Sequence, residues 1–407
     1  MILSRTGRIF LKKELVRGFA SSKARKSDRS AGFSVEWELL RDGSSDARKG
    51  SIHTSGGSFR TPAFVLTQPQ ELYGSTSARD AGAWSEIPLV CCSKSFQDEQ
   101  RTNSDLLKAT GLRKFLNRRG PIISLGPAPQ VPKKRVRQIL RLGSPLDSST
   151  IVTLPNAENS KDTSATQGIH HRCMEIQNGL GADVLGTIEY ENLETLENGA
   201  VREWSFSESV RWQHECLELH KCENTTKGLF ANVHINCSSD VERERSLERA
   251  GVLSKYDFDG YFLSLADIEA EDLVGTVLKL LPREKPKHVR NARSLEVIAR
   301  SFMAGADMFD SELPVRMGSE HRVFTRDGVL DLTRDSCKEQ FSRLDQQWGD
   351  PSFSIAYMHH LIKAYEPLAP VLCALHNINF LTDFINDLPS KVAAEKAEQI
   401  TEALSIN

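Results

Sequence analysis

The fold class this sequence predicts is α/β: a closed (β/α)8 barrel with an antiparallel hairpin before it and a helical segment after it. Three observations predict it. Eight short apolar runs rich in Val, Ile and Phe follow one another from about residue 63 to residue 310. Longer stretches with apolar residues at i, i+3 and i+4 separate most of them, the spacing of an amphipathic helix. No G-x-G-x-x-G follows the first run, which weakens the competing open, doubly wound sheet in its dinucleotide-binding form. Strands that alternate with helices favour a parallel barrel over segregated layers.

The eight predicted strands are Ala63–Leu66, Pro88–Cys92, Pro121–Leu125, Asp183–Ile188, Leu229–Ile235, Asp259–Ser264, Lys287–Asn291 and Ala306–Asp310. Helical spacing is clearest over Glu208–His220, Val241–Val252, Leu273–Leu281 and Leu295–Met303. Residues 34–62 read as an antiparallel hairpin that turns near Gly43–Ser45. Residues 143–167, rich in Ser, Thr, Asn and Asp, read as a loop insertion around a short strand, Ile151–Leu154. Two helices, Ala356–Tyr365 and about Val371–Phe384, close the chain. Three units follow: a basic segment over 1–32, the barrel over 33–330 and a helical subdomain over 331–407.

At 407 residues the chain is long enough to bury a large core. Its composition is 39% hydrophobic and 26% charged, with a net charge of −2. That balance neither requires nor excludes nucleic acid. No continuous apolar run approaches the roughly 20 residues of a membrane span. The eight cysteines form no C-x-x-C pair, so no zinc ribbon or thioredoxin-type site is readable, and free thiols are expected. The first thirty residues carry Arg5, Arg8, Lys12, Lys13, Arg17, Lys23, Arg25, Lys26 and Arg29 against only Glu14 and Asp28. Two readings stand for them: a mitochondrial presequence or a disordered basic tail. The expected location is accordingly cytoplasmic, with the mitochondrion or its outer surface as the alternative.

Several segments, in order, resemble the tRNA-guanine (queuine) transglycosylase family. They are Arg60–Gln70 (RTPAFVLTQPQ), Pro121–Val131 (PIISLGPAPQV), Ile176–Val184 (IQNGLGADV), Lys285–Val289 (KPKHV), Gly305–Arg316 (GADMFDSELPVR), Phe353–Leu361 (FSIAYMHHL) and Ala374–Asn377 (ALHN). The DMFD and AYMHHL pieces are the most specific. The resemblance implies a barrel enzyme that removes guanine from the tRNA wobble position and installs another base. That reaction needs a carboxylate nucleophile on the ribose C1′ and a second carboxylate that handles the purine and its protons. In a barrel such groups come from the C-terminal strand ends.

Compared with the family pattern, those ends are altered. Asp310 falls on the nucleophile. Leu125 falls on the purine-handling Asp, and leucine neither ionises nor accepts a hydrogen bond. Glu189 replaces a base-reading Asp. His234-Ile235-Asn236 stands for Gln-Gly-Gly, and Ser264-Leu265 for Gly-Gly, so Ile235 and Leu265 are expected to fill space that glycine leaves open. Gly126-Pro127-Ala128-Pro129 replaces a flexible glycine-rich stretch. A lost charged hydrogen bond costs roughly 1.5–3 kcal/mol, and a lost general acid or base about 100- to 10,000-fold in rate. Together these losses predict no practical turnover. Asp310 then reads as an acid kept for hydrogen bonds at the barrel rim.

The family's structural zinc site is altered as well. Asp345, Gln347 and Asp350 fall on its three cysteines, and His376 alone matches a ligand. A structural zinc takes four ligands, usually thiolates among them, so no cofactor is expected and His376 reads as a packed or capping histidine. Cys373, one helical turn before His376, and the distant Cys337 are the only thiols that would keep a zinc open. Lys133, Lys134, Arg135, Arg137 and Arg141 form a basic cluster on the family's substrate face, and Arg316 falls on an Arg of the signature. Contact with tRNA phosphates and a solvated helix face are both open for the cluster. Eukaryotic enzymes of this family pair a catalytic barrel with a degenerate one. The resemblance therefore implies the degenerate, non-catalytic partner in a heterodimer with a catalytic queuine tRNA-ribosyltransferase subunit, bound to tRNA. An active base-exchange enzyme of altered specificity using Asp310, and a scaffold without a tRNA role, are the alternatives.

Overall fold

A computed structural model describes residues 32–40, 46–67, 88–91, 111–114, 116, 119–126, 169–188, 199–223, 226–266, 270–344 and 353–393. The expected insertion at 143–167, the basic N-terminal segment through residue 31 and the turn at Gly43–Ser45 lie outside the described residues.

The chain begins with three antiparallel strands, β1 (Ser34–Leu39), β2 (Arg48–Thr54) and β3 (Gly57–Thr61), rather than a single hairpin. The second turn is tight because the Thr54 hydroxyl donates to the Gly57 carbonyl. Gly57 sits at φ 132°, a conformation that side-chain-bearing residues avoid. The barrel follows. Ala63–Phe64 (β4) pairs with the last barrel strand and Leu66–Thr67 (β5) with the next one, so one segment serves both edges. The others are β6 (Leu89–Cys91), β7 (Ile122–Ser124), β8 (Val184–Gly186), β9 (Gly228–Ile235), β10 (Gly260–Leu265), β11 (Lys287–Arg290) and β12 (Met308–Phe309). All neighbours are parallel, in the order β4-β12-β11-β10-β9-β8-β7-β6-β5. With β4 and β5 taken as one strand, the sheet closes at eight, and each predicted strand overlaps an observed one.

Helices α1 (Ile169–Leu180), α2 (Gly199–Glu223), α3 (Asp240–Leu253), α4 (Ala270–Leu280) and α5 (Leu295–Met303) lie along the chain between strands. Ser239 and Ser294 start α3 and α5 by accepting the N–H three residues on, the usual N-cap bond.

Strand alternation separates two cores. Ala63, Val65, Ile123, Leu125, Val184, Phe230, Phe262 and Met308 form the barrel interior, closed from below by Ile52 and Phe59 of the antiparallel sheet. Phe64, Leu66, Ile122, Leu185, Val233, Leu263, Val289 and Phe309 face the helices.

The lower rim is held by a device that recurs three times. Asp183, Asp259 and Asp307 each stand just before a barrel strand. Each accepts the N–H at the start of the preceding strand: Ile122 N to Asp183 Oδ2 at 2.8 Å, Leu229 N to Asp259 Oδ2 at 2.9 Å and Lys287 N to Asp307 Oδ2 at 2.8 Å. The antiparallel sheet docks on two of these acids. Ser55 and Arg113 donate to Asp183, and Arg48 forms a bidentate pair with Asp307 at 2.7 Å on each side.

After β12 come α6 (Leu313–Ser319), the hairpin β13–β14 (Arg322–Thr325 and Gly328–Asp331), α7 (Ile355–Lys363) and α8 (Leu368–Ala393). The hairpin was not among the expected elements, although Asp327-Gly328, at the end of its Arg326-Asp327 turn and between apolar residues, is a local signal. Among the described residues α8 is long and apolar enough on average to cross a membrane, which differs from the expectation. Asn377, Asn379, Asp383, Asn386 and Asp387 break its apolar run without lowering the average enough. Ile378, Leu381, Ile385 and Leu388 of α8 are buried in the outer barrel core. Gly318 of α6 meets α8 so closely that a Cβ there would lie 2.6 Å from the Ala374 nitrogen.

Candidate functional site

The upper strand ends bring together only part of what the sequence predicts. Asp310 follows β12 directly and is 5% exposed. Its Oδ1 accepts the N–H of Asn291 at 2.9 Å. Its Oδ2 lies 2.9 Å from Nε2 of His288, at an angle poor for a hydrogen bond. His288 is wholly buried in the barrel, with its ring edge against Phe262 at 5.5 Å. Two places along β11, Arg290 donates to the Ser264 hydroxyl at 2.6 Å. The loop after β11 is locked on the same acid. Asn291 takes φ 50°, a left-handed conformation that asparagine tolerates. The Ala292 N–H donates to the Asp310 carbonyl.

Burial pushes the Asp310 carboxyl up. His288, Arg290 and the Asn291 N–H together outweigh it, and the group sits below the usual carboxylate range. It is therefore ionised at neutral pH. Its folded-state value is lower than its unfolded one, so its stabilisation is complete above the unfolded value, about 3.9, and fades as pH falls through the folded value. Thermal melts should show the wild type losing more stability than Asp310→Asn on acidification below about pH 4. Parallel curves would refute the linkage.

Leu125 is buried in the barrel interior. Ile235 and Leu265 do not fill the interior as expected. Both belong to the outer core, between the sheet and the helices. Strand parity explains the difference: with Phe230 and Phe262 inward, Ile235 and Leu265 must point outward, and His234 and Ser264 point inward. Polar side chains occupy the upper interior beside Asp310, and sequence reading missed His288 and Arg290. The signal was the alternation in Lys287–Arg290, where a His and an Arg hold inward positions of a buried strand. Asn236 is turned toward α3, where its N–H donates to the Ser246 hydroxyl.

Arg316 is exposed on α6, the helix that leaves from Asp310. Glu189, Lys133, Lys134, Arg135, Arg137 and Arg141 lie outside the described residues, as do Asp345, Gln347 and Asp350.

His376 Nε2 lies 2.7 Å from the Phe324 carbonyl, within hydrogen-bond reach. Its neighbour Asn377 accepts the Phe324 N–H and donates to the carbonyls of Pro314 and Arg322, so the two residues fasten β13 to α8. Cys337 and Cys373 are buried in one apolar cluster with Val323, Leu332 and Met358. Burial pushes the Cys373 thiol up to about 12, which keeps it protonated and disfavours metal ligation. Among the described residues, no group of three or more His, Cys, Asp or Glu side chains is placed to hold a metal ion.

The chain is similar to known proteins over most of its length. A family model described as queuine tRNA-ribosyltransferase matches residues 42–405. Curated proteins bearing that name align as well. The one from Symbiobacterium thermophilum is 26% identical over 89% of this chain and 88% of its own length. That from Bacillus subtilis is 26% identical over 90% and 94%. That from Ruminiclostridium cellulolyticum is 28% identical over 89% and 95%.

Proposed function

Because this chain belongs to the queuine tRNA-ribosyltransferase family, we propose that it is the non-catalytic accessory subunit of a heterodimer that exchanges guanine for queuine at the tRNA wobble position. One observation carries the reading: the only carboxylate at the upper end among the described site residues, Asp310, is held by His288 and Asn291, and its required companion is Leu125. Base exchange needs one carboxylate free to attack C1′ and a second to move the purine's protons. A buried acid with one oxygen held by the Asn291 N–H and the other packed beside the His288 ring attacks poorly, and leucine supplies no proton path.

The role left to such a barrel is to hold tRNA and a catalytic partner. Arg316, with Lys133, Lys134, Arg135 and Arg137, would meet tRNA phosphates, contacts that are salt-sensitive and independent of sequence. The partner would dock on the C-terminal helices. Phe353 and Tyr357 lie tilted against each other in the open, ring centres 5.1 Å apart, and Tyr365 and Leu368, farther along the same segment, are exposed as well. Exposed aromatics grouped in this way are the surface that subunit contacts cover. The substituted zinc positions belong to the same proposal, with His376 kept for its bond to Phe324.

A second reading, an active enzyme of altered base specificity, draws on the ionised state of Asp310, which a nucleophile requires. The purified single chain separates the two. It should incorporate no labelled guanine or queuine into tRNA above a protein-free control, and metal analysis of the same preparation should give well under one zinc per chain. Incorporation would favour the second reading, and a tightly held zinc would overturn the loss of the metal site.

A further inference from the structure

The end of the barrel opposite Asp310 carries a second concentration of charge. A cavity of about 130 Å³ opens beside the start of β11, between β2, the end of α4 and the turn into β12. Its charged walls are Arg48, Lys279, Arg283, Lys287 and Asp46. Four cations thus face one carboxylate. Two of the four are already neutralised: Arg48 by Asp307, and Arg283 by Asp46 at 3.1 Å. Lys279 and Lys287 have no carboxylate within 4.0 Å among the described residues.

Lys287 is the unusual one. It is 2% exposed, yet its ammonium makes a single long hydrogen bond, 3.4 Å to the Lys285 carbonyl. A buried ammonium with most of its donors unused is costly unless a counter-charge reaches it. The same cavity wall holds Gly305 at φ 96°, where a Cβ would press to 3.2 Å on the side chain of Asp46. The space is about four times the volume a water molecule takes in the liquid, room for a tetrahedral oxyanion and its first waters.

We propose that this cavity binds a small phosphate-type oxyanion, inorganic phosphate or the phosphate of a small monoester, between Lys287 and Lys279. The chemistry is that of a phosphate group met by point charges, which lysine supplies. The small volume of the cavity, and its position at the end of the barrel away from Asp310, favour a small molecule over a polynucleotide backbone. Burial first, then Arg48, draws the Lys287 ammonium down to about 8, while Asp307, Glu284 and Asp46 pull the other way. The lysine is therefore mostly protonated at neutral pH, and affinity for the anion should decline as pH rises past about 8.

Equilibrium dialysis of the full chain against labelled inorganic phosphate, at pH 7 and fixed ionic strength, tests the site. One saturable equivalent is expected. Lys287→Met should weaken it at least about tenfold, the loss expected for a charge-assisted contact. Lys279→Ser, a change at the end of α4, should weaken it severalfold while the melting temperature in chloride stays that of the wild type. Three results overturn the proposal: no saturable phosphate, unchanged binding in both variants, or protection of the site by an anticodon stem-loop RNA but not by phosphate. None of these readouts depends on base exchange, so the site stands or falls apart from the accessory-subunit reading.

Discussion

Asp310→Ala in this chain should leave guanine exchange by the heterodimer within about twofold of wild type, while the same change at the matching Asp of the catalytic partner should lower it by about three orders of magnitude or more. The asymmetry follows from the two environments. A working nucleophile must present a free oxygen to C1′, whereas here Asp310 is buried, with one oxygen accepting the Asn291 N–H and the other 2.9 Å from the buried His288 ring. The residue that should move the purine's protons is Leu125, buried among Val65, Ile123 and Phe262. Removing Asp310 therefore removes an internal brace and leaves the chemistry untouched. The brace has its own readout: the variant should melt at a lower temperature, because His288 keeps its buried ring without its partner. Steady-state exchange by the reconstituted pair, with tRNA affinity and assembly measured alongside, decides the matter. If Asp310→Ala stops exchange while assembly and tRNA affinity are intact, this barrel performs the chemistry and the accessory reading is wrong.

Strand existence was legible in the sequence because barrel strands such as Gly228–Ile235 and Gly260–Leu265 are buried on both faces, and continuous apolar runs such as Leu229–Ile235 follow from that. The place of Asp310 directly after the last barrel strand was legible too, through the DMFD segment. Facing was not. A strand's side chains change faces with every residue, so matching Ile235 and Leu265 to glycines in a motif says nothing about whether they point into the barrel. Only the register set by Phe230 and Phe262 decides that they point out and that His234 and Ser264 point in. His288 and Arg290 were hidden for the same reason: a basic residue in a strand looks like a solvated face until closure of the sheet places it inside. The lower rim did leave a written trace. Gly181-Ala182-Asp183-Val184 and Gly305-Ala306-Asp307-Met308 repeat one pattern, a positive-φ glycine two residues before an acid that catches the neighbouring strand. A search for long repeats passes over four residues, and the meaning of the pattern appears only when the strands lie side by side.

The second large effect is expected at that rim. Arg48→Ala should destabilise the fold by about 3–5 kcal/mol, the cost of leaving one member of a buried ion pair alone. Arg48 is 2% exposed and Asp307 wholly buried, and two parallel N–H···O bonds of 2.7 Å join them. The same guanidinium donates to the carbonyls of Arg283 and Lys285 and lies 3.8 Å from the centre of the Trp37 ring. One side chain thus pins the antiparallel sheet, the loop ahead of β11 and the acid ahead of β12 together. Lys287 stands near enough to relieve the abandoned carboxylate in part, which places Arg48→Ala toward the lower end of the range. Asp307→Ala should cost more, because it strands Arg48, removes a nearby charge that favours the Lys287 ammonium and also releases the Lys287 N–H that starts β11. Replacing both partners by apolar residues of similar size, Arg48→Met with Asp307→Leu, should recover much of the loss, since the pair's desolvation cost disappears with it. Urea unfolding of the three variants measures this ordering. Single-variant losses under about 1 kcal/mol, far below the range for a broken buried pair, would mean that the interior packing of Ile52 and Phe59, and not the ion pair, holds the sheet against the barrel.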